Sequence, residues 1–357
     1  MIAWPAFINA GHNPYNSLLY SGLARLGARV EDFSPGRLIF GRHDVWHLHW
    51  PESILNLPQP WKALPLAFTL RLLLRVARAK GTRIVWTVHN LRSHEGLYPG
   101  VEARLWRALM AHLDGYIALT DAGRAQAVRC YPSLRERPGF VIPHGHYRAV
   151  YPDTVSGAEA RAHLGLPQGG RVLLALGQVR PYKNVPHLIR TFRALAAPDA
   201  ILVVAGLPVT PELAAEVRAA AAGDRRVRVH LGFVPDGEVQ VYLRAADLVV
   251  LPYRQILNSG SAILALSFAR PVLVPEQGAM AELQRAAGRE WVRTYPGALD
   301  PAVLRDALEW ALHTPRDPGG LFAACSWEVI ARQTLAAYLT VLSLSPANTP
   351  RRQGRAE

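Results

Sequence analysis

The stretch from Leu173 to Asn184 constrains the fold of this chain more than any other stretch. It starts as an uninterrupted apolar run, which is typical of a strand buried on both faces of a parallel sheet. Gly177 ends the run, and Arg180 and Lys183 follow three residues apart. A helical apolar pattern then starts at Val185. This order predicts an α/β fold, in which ligands bind at the carboxyl ends of the strands.

A second loop in the same half of the chain points to the same kind of ligand. Small residues at 258–261 open a helical pattern that continues to residue 268. The N–H groups at such a helix start have no intrahelical partner, and the helix dipole adds positive potential there. Arg180 and Lys183 suit a diphosphate, since Arg offers a planar fork and Lys a point charge. The first loop alone fits two solvated cations equally well, but together the two loops favour nucleotide binding.

Apolar runs of strand length alternate with helical patterns along the whole chain. The strand-like runs lie at 2–8, 44–50, 84–88, 115–119, 201–205, 227–231, 248–251 and 271–275. At 357 residues the chain exceeds one typical core, so we expect two domains joined by the Pro, Gly and polar residues of 141–158. The predicted division is an N-terminal domain at 1–150, a C-terminal domain at 151–325, a helix at 326–343 and a disordered tail at 344–357.

The net charge of +13 is concentrated in the first half of the chain. Residues 1–150 hold 18 Lys and Arg against 9 Asp and Glu, and the remainder holds 22 against 18. The basic half therefore predicts an anionic partner, such as a membrane surface, a lipid diphosphate or nucleic acid. Nucleic acid is disfavoured, because the basic residues form no patch interleaved with aromatic residues and match no known module.

The very apolar helical pattern at 61–80 bears on which anionic partner is meant. Arg71, Arg75 and Arg78 recur at spacings of four and three, so they form a basic stripe. The pattern suits a helix that lies on an anionic membrane surface. The alternative is a helix that covers the sheet and has a solvated arginine edge.

The sequence predicts an intracellular protein that does not span a membrane. Cys130 and Cys325 form neither a disulfide framework nor a metal-ligand spacing, which fits a reducing compartment. We expect no signal peptide, and no apolar run reaches the ~20 residues needed to cross a bilayer. The expected location is cytoplasmic, peripheral on the inner face of the cytoplasmic membrane.

Polar residues cluster at the predicted strand ends of the first half. His47, His49 and Glu52 lie at the end of one strand, and His89 lies at the end of the next. Two histidines two residues apart on a strand share a face, so a zinc site is an alternative. No third ligand stands at a useful spacing, and a sugar or acceptor contact is favoured.

Several segments between Asn13 and about Tyr338 together resemble a known family. They are Asn13-Pro14-Tyr15, the run from His47 to Glu52, His89-Asn90-Leu91 with His94-Glu95, the run from His144 to Arg148, the run from Arg180 to Lys183, and the run from Leu251 to Gln255 leading into Asn258-Ser259-Gly260. They resemble a glycosyltransferase of the GT-B architecture, and in particular the GDP-mannose:glycolipid 4-beta-D-mannosyltransferase family of bacterial exopolysaccharide (xanthan-pathway) assembly.

The resemblance implies two Rossmann-like domains that face each other across a cleft. The N-terminal domain would bind the acceptor, the C-terminal domain would bind the nucleotide sugar, and the C-terminal helix would return to the N-terminal domain. The implied reaction moves mannose from GDP-mannose onto a polyprenyl-diphosphate-linked oligosaccharide with inversion. The alternative is a retaining GT-B hexosyltransferase that uses UDP-glucose or another nucleotide sugar.

One departure from the wider superfamily favours inversion. Retaining relatives usually carry two glutamates eight residues apart, and the matching positions here are Ile256 and Leu264. An inverting reaction needs one general base near the acceptor hydroxyl and charge stabilisation on the leaving diphosphate. Because no Asp-x-Asp motif is present, we expect a metal-independent transfer without a cofactor.

The resemblance assigns expected roles to individual residues. The candidates for the base are Glu52, Glu95, His49 and His89. The glutamates are favoured because burial can raise the pKa of a carboxyl group. His89 is expected to contact the donor sugar. The residues expected to bind the donor are Gly177, Arg180, Lys183, Val234, Tyr253, Asn258, Ser259, Gly260 and Ser261. Those expected to bind the acceptor are Asn13, Tyr15, His144 and His146.

Overall fold

The structure, a computed structural model, describes residues 1–8, 11, 13–93, 95–314, 322 and 325–344. The strands are β1 (Ile2–Trp4), β2 (Glu31–Asp32), β3 (Val45–Leu48), β4 (Arg83–Val88), β5 (Gly115–Ala118), β6 (Gly139–Val141), β7 (Arg171–Leu176), β8 (Ala200–Ala205), β9 (Val227–His230), β10 (Leu248–Val250), β11 (Val272–Pro275) and β12 (Val292–Tyr295). The α-helices are α1 (Tyr15–Arg25), α2 (Pro35–Phe40), α3 (Pro60–Ala79), α4 (Pro99–His112), α5 (Asp121–Cys130), α6 (Gly157–His163), α7 (Val185–Arg193), α8 (Pro211–Ala221), α9 (Asp236–Ala245), α10 (Gly260–Ser267), α11 (Met280–Ala287), α12 (Pro301–Leu312) and α13 (Trp327–Ser343). Short 3-10 helices lie at Pro51–Asn56, Pro132–Glu136 and Pro181–Lys183.

The chain divides into two compact units. The first unit combines Met1–Pro143 with Ser326–Glu357, and the second unit is His144–Cys325. Residues 345–357, which hold nearly all of the tail predicted to be disordered, lie outside the described residues.

The first unit is built on a parallel six-stranded sheet in the order β2-β1-β3-β4-β5-β6. Its central strands are covered on both faces, since every residue of β3, β4 and β5 is buried. The chain reverses direction across the sheet between β1 and β3, which makes that position a topological switch point. The loops after β1 and β3 therefore lie where such sheets bind ligands.

The C-terminal helix α13 packs on the first unit, as the fold prediction expected. Its Trp327 ring stands edge-on to Tyr15 of α1 at a centroid distance of 5.2 Å. Further along the helix, the Tyr338 hydroxyl lies 2.6 Å from Nδ1 of His47 on β3. Residues more than 290 positions apart in sequence therefore share one buried cluster.

A buried carboxylate anchors α3 and β4. Asp114 accepts hydrogen bonds from the Ile84 N–H at 2.9 Å and from Arg83 at 3.2 Å, and it pairs with Arg78. Arg78 was expected to extend the basic stripe of α3, but its guanidinium is held by Asp114 instead. The stripe is therefore reduced to Arg71 and Arg75.

The second unit is built on a parallel sheet in the order β12-β11-β10-β7-β8-β9. Numbered within the unit, this is the Rossmann order 6-5-4-1-2-3, with its switch point between β7 and β10. Separate apolar clusters fill the two faces of the sheet, which explains why its strands read as continuous apolar runs. The Leu173–Asn184 segment follows this pattern: β7 lies at the centre and its loop emerges at the switch point.

The structure differs from the predicted elements in several places, of which three have a clear physical reason. Strand β1 ends at Trp4 instead of reaching residue 8, because Pro5 cannot donate to the ladder. The polar run 153–158 was predicted as linker, but Ser156 caps α6 through a capping box with Glu159. Strand β12 pairs with β11 at the sheet edge, although its mixed composition gave no strand signal.

Candidate functional site

The end of β7 is shaped by two glycines that pack backbone against backbone. Gly177 has φ +108° and Gly206 has φ +146°, both in the region that favours glycine. A Cβ on Gly206 would lie 2.2 Å from the Gly177 carbonyl oxygen. The close approach leaves an open backbone surface directly beyond the strand.

Lys183 and the start of α10 converge on that surface. A Cβ on Gly177 would lie 3.3 Å from Lys183 Nζ and 3.8 Å from Ser261 Oγ. The ammonium group and the helix N-terminus therefore border one point above Gly177. The sequence predicted that the two loops would lie side by side. We call Gly177, Lys183 and Ser261, which meet at this point, the β7 anion site.

Hydrogen bonds tie the two loops of the β7 anion site to each other. The Arg254 N–H donates to the Tyr182 carbonyl at 2.8 Å, and Arg254 Nε donates to Asn184 Oδ1 at 2.9 Å. On the other loop, the Tyr253 hydroxyl lies 3.1 Å from Ser259 Oγ. The relative position of the two loops is thus fixed by the chain itself before any ligand binds.

The β7 anion site is electropositive. Burial, with Arg180 nearby, lowers the pKa of Lys183 from its ordinary value to about 8, so the ammonium is still charged at neutral pH. Within the described ranges, Lys183 has no ion-pair partner. Ser259 caps α10 by accepting from the Ala262 N–H at 3.1 Å, while the N–H groups of the first turn lack intrahelical partners. Such an arrangement suits an anionic ligand.

The other predicted donor residues lie in the same unit. Arg180 donates through Nε to Gln178 at 2.9 Å, on the loop that carries Lys183. Asn258 directly precedes the cap of α10. Val234 packs, partly buried, against the apolar cluster of the unit.

The predicted acceptor residues are divided between the two units. Asn13 belongs to the first unit, where its side chain accepts from the Tyr15 N–H at 3.1 Å. His144 belongs to the second unit and lies beside α10: a Cβ on Gly260 would be 3.4 Å from its Nε2. Burial lowers the pKa of His144 to about 4. His146 also lies in the second unit, where it packs against the Phe322 ring at 5.3 Å.

In the first unit, Glu52 is a buried carboxyl group at the start of the 3-10 helix after β3. It is 2% exposed, and Asn90 donates to its Oε1 at 2.9 Å. Its Oε2 has no hydrogen-bond partner among the residues described. Burial raises the pKa of Glu52 to about 8. The hydrogen bond from Asn90 lowers this pKa, and the nearby Glu102 carboxylate raises it. This is the shift expected of a group tuned for proton transfer near neutral pH.

His89 is held by rings at the end of β4. Trp50 stacks on it with centroids 4.3 Å apart, and Tyr15 stands edge-on at 5.0 Å. His49 Nδ1 lies 3.0 Å from His89 Nε2. His89 retains 9% exposure, whereas His49 has none and uses both ring nitrogens in internal contacts. Both of these base candidates are buried, and His89 is the more exposed of the two.

Glu95 lies in a more open position than Glu52. Its backbone N–H donates to Asn56 Oδ1 at 3.4 Å, and its side chain is partly exposed. Its sequence neighbour His94 lies outside the described residues.

The two histidines considered as zinc ligands have other partners. His47 contacts Tyr20, Tyr338 and Thr87 through its two nitrogens. No group of three potential metal ligands is found in the described part of the chain.

Sequence reasoning missed Tyr20, Tyr338 and Thr87, which surround these histidines. Each reads as an ordinary core or strand residue, and only the fold brings their hydroxyls to the rings. Glu102 was missed as well; it accepts from Ser93 and Trp106 and so fixes the loop after His89.

Comparison with known proteins identifies the family. A family profile described as "Glycosyl transferases group 1" matches residues 170–313, which include the β7 anion site. The GDP-mannose:glycolipid 4-beta-D-mannosyltransferase of Xanthomonas campestris pv. campestris is 35% identical over 338 residues, which cover 94% of this chain and 90% of that protein. This chain belongs to the same glycosyltransferase family. The predicted resemblance is confirmed, and the chain is an enzyme of the glycosyltransferase class.

Solved structures place this glycosyltransferase in the GT-B fold class, as predicted. Sucrose-phosphate synthase from Thermosynechococcus elongatus matches with a TM-score of 0.63 at 21% identity, covering 85% of this chain and 74% of that chain. Anabaena Alr3699/HepE in complex with UDP-glucose matches with a TM-score of 0.63 at 16% identity, covering 95% and 97%. At such identities the likeness establishes the fold alone.

Proposed function

We propose that this glycosyltransferase moves mannose from GDP-mannose onto a polyprenyl-diphosphate-linked oligosaccharide, with inversion, in exopolysaccharide biosynthesis. The observation that carries the proposal is the sequence match to the Xanthomonas enzyme, which extends over 94% of this chain. The name of that enzyme specifies this donor and a glycolipid acceptor. The β7 anion site supports it, because a nucleoside diphosphate is the leaving group of such a reaction.

The β7 anion site would stabilise the departing nucleoside diphosphate. As the bond between the sugar C1 and the phosphate oxygen breaks, negative charge grows on the diphosphate. Lys183, Arg180 and the first-turn N–H groups of α10 are fixed in place to receive that charge without a metal ion. We infer that the transfer needs no metal and no cofactor.

Inversion is supported by the residues that stand where retaining relatives carry glutamates. Ile256 and Leu264 both pack against the apolar cluster of the second unit instead of offering carboxylates. Without these carboxylates, direct displacement is the simpler path: the acceptor oxygen attacks C1 from the face opposite the diphosphate.

Glu52 is the residue we propose as general base. In direct displacement the acceptor hydroxyl loses its proton as its oxygen bonds to C1, and a carboxylate with a raised pKa accepts that proton effectively. Glu52 has the raised pKa and an oxygen without a partner among the described residues. Glu95 remains the alternative base, and their comparison provides a matched test.

The experiment that tests the proposed function is a donor panel with product analysis. Purified enzyme and a lipid-linked oligosaccharide acceptor are incubated with GDP-mannose, UDP-glucose or a dTDP-sugar. We expect transfer from GDP-mannose and a β-linked product by NMR of the new anomeric centre. An α-linked product would contradict inversion, and preferential transfer from UDP-glucose would favour a retaining or glucosyl-transferring relative instead.

The Glu52→Gln and Glu95→Gln variants test the assignment of the base. With saturating donor, wild-type kcat should rise with pH and level off above about 8, because the base acts as the carboxylate. Glu52→Gln should lose about 100-fold to 10,000-fold in kcat, the usual contribution of a general base. Glu95→Gln should retain activity and the same pH profile. Loss confined to Glu95→Gln would assign the base to Glu95.

The α3 surface supports a peripheral position on an anionic membrane. Arg71 and Arg75 of α3 lie with Arg104 and Arg107 of α4 around a cavity of about 230 Å³. None of the four has an ion-pair partner in the ranges that the structure describes. Large apolar side chains stand exposed along the same helix at Trp61, Leu64, Leu66, Phe68 and Leu72.

Exposed rings beside unpaired guanidinium groups fit the interface of a bilayer that carries anionic lipids. A lipid-linked acceptor would be presented at that interface. Among the described residues, every helix is too short or too polar to span a bilayer. We therefore propose that the enzyme binds peripherally, on the cytoplasmic face of the membrane, through the α3 surface.

Vesicle binding by charge-matched variants tests the α3 surface. Arg71→Ala with Arg75→Ala should weaken binding to phosphatidylglycerol vesicles by about 30-fold, since each cation contributes about 1 kcal/mol near such a surface. Binding should also weaken with salt. The control, Arg218→Ala with Arg225→Ala, removes the same charge from the second unit and should bind as wild type. Equal weakening by both pairs, or binding that salt does not affect, would contradict this surface.

A further inference from the structure

The cavity between helices α3 and α4 of the first unit is lined mainly by basic side chains. Its lining includes Arg71, Arg75, Arg104, Arg107 and His112, and two alanines of α4 complete the wall. We call it the α3–α4 cavity. Attraction to an anionic bilayer requires exposed cations but no cavity, so the enclosure of these arginines calls for a reason of its own.

The protein does not balance the positive charge of the α3–α4 cavity. Helix α3 contains no acidic residue, and the one acidic residue of α4, Glu102, is buried and accepts from Ser93 in the loop after β4. Throughout the described ranges, the four guanidinium groups have no carboxylate partner. The arginines of each helix stand three or four residues apart, a spacing at which like charges repel. A bound anion would offset that repulsion.

One donor of the α3–α4 cavity is shielded from water. Arg71 Nε is buried, and it has no hydrogen-bond partner among the residues that the structure describes. A buried donor without a partner costs free energy, and a charged group costs more than a neutral one. A phosphate oxygen beside Arg71 would accept from this N–H, and the planar guanidinium fork matches the geometry of a phosphate.

Apolar side chains of α3 flank the α3–α4 cavity. Phe68 lies three residues before Arg71, on the same face of the helix, and its side chain is 67% exposed. Leu72 lies three residues before Arg75 in the same way, and it is 49% exposed. An anionic group in the cavity would therefore have exposed apolar surface beside it. This combination fits the phosphate-bearing head of a lipid better than a free nucleotide.

We propose that the α3–α4 cavity binds the diphosphate of the lipid-linked acceptor, so that the enzyme recognises this lipid and not only the charge of the membrane. The inference rests on the proposed function, which supplies a polyprenyl-diphosphate-linked oligosaccharide as acceptor. Each phosphate of that linkage carries a negative charge, whereas phosphatidylglycerol offers a single phosphate. Four guanidinium forks around one cavity suit two adjacent phosphates, since each fork can bind a phosphate through two parallel hydrogen bonds.

The position of the α3–α4 cavity fits an acceptor that reacts at a distance from its diphosphate. Helix α4 begins at Pro99, close in sequence to Glu95 in the loop after β4. Arg104 and Arg107 lie about 8–12 Å further along the helix axis, at a rise of about 1.5 Å per residue. The diphosphate is attached to the first sugar of the oligosaccharide, and the new sugar joins a hydroxyl further along. The intervening sugars would extend from the cavity towards the carboxyl edge of the sheet.

Vesicle binding separates recognition of a diphosphate from attraction to charge. Phosphatidylcholine vesicles are prepared with undecaprenyl diphosphate or with phosphatidylglycerol at equal total charge. Wild type should bind the diphosphate vesicles about 10-fold to 100-fold more tightly, as expected for a gained charge-assisted hydrogen bond. Arg104→Lys with Arg107→Lys keeps the charge but removes two forks. This double variant should bind phosphatidylglycerol vesicles like wild type and lose the preference for the diphosphate.

Two results of the vesicle experiment would overturn the proposal. One is equal binding of wild type to both kinds of vesicle, and the other is a preference that survives in the double lysine variant. Because the β7 anion site is also proposed to bind a diphosphate, Lys183→Ala serves as a further control and should keep the preference. Loss of the preference in Lys183→Ala would assign the diphosphate of the lipid to the β7 anion site and would also overturn the proposal.

Acceptor kinetics distinguish this inference from the proposed function. Two acceptors carry the same oligosaccharide, one on a polyprenyl diphosphate and one on an alkyl group. The double lysine variant should raise KM for the diphosphate acceptor about 10-fold to 100-fold, while kcat, KM for GDP-mannose and KM for the alkyl glycoside stay at wild-type values. An unchanged KM for the diphosphate acceptor would contradict the inference. Absence of transfer from GDP-mannose by wild type would instead refute the proposed function, and vesicle binding would still decide the role of the cavity.

Discussion

Positive potential fixed above Gly177 is the constraint on which this account depends. The chain holds a partly buried ammonium group and a helix N-terminus at one point, and burial lowers the pKa of Lys183 to about 8. Such an arrangement is unfavourable until an anion balances it. Two hydrogen bonds from Arg254, to the Tyr182 carbonyl and to Asn184 Oδ1, hold the two loops together. This arrangement supports the proposal that the second unit binds a ligand with negative charge.

Among its described residues, the first unit has no comparable concentration of positive charge at its switch point. Its switch point gathers neutral imidazoles and a carboxyl group whose pKa is raised to about 8, and their net charge is close to zero at neutral pH. Proton transfer benefits from such an environment, because small free-energy changes then decide where a proton resides. In the proposed function, charge stabilisation therefore belongs to the second unit and proton transfer to the first, each at the switch point of its own parallel sheet.

The sequence was informative wherever a local signal carried the answer. The apolar run that ends in Gly177 predicted β7 and its loop, and small residues before a helical pattern predicted the start of α10. These features depend on neighbours in sequence, since strand burial, turn formation and helix capping are local. The resemblance of these segments to a known family then predicted a glycosyltransferase.

Contacts between distant segments were not predictable in this way. Tyr338 meets His47 across 291 positions, and no pattern in α13 distinguishes that tyrosine from an ordinary core residue. The double hydrogen bond from Arg254 to the Lys183 loop also depends on the strand order. The family resemblance alone predicted that His144 binds the acceptor. The fold places the His144 ring beside α10. Strand order, which juxtaposes these groups, is the information that local patterns lack.

Calorimetric affinities of GDP for wild type, Lys183→Ala and the exposed control Lys62→Ala between pH 7 and pH 9.5 test whether Lys183 holds the diphosphate. We expect wild type and Lys62→Ala to bind equally at pH 7 and to weaken as Lys183 loses its proton near pH 8. Lys183→Ala should bind about 10-fold to 100-fold more weakly at pH 7, as expected for one lost charged hydrogen bond, and should show no such pH dependence. Equal affinity of all three proteins at pH 7 would contradict the account.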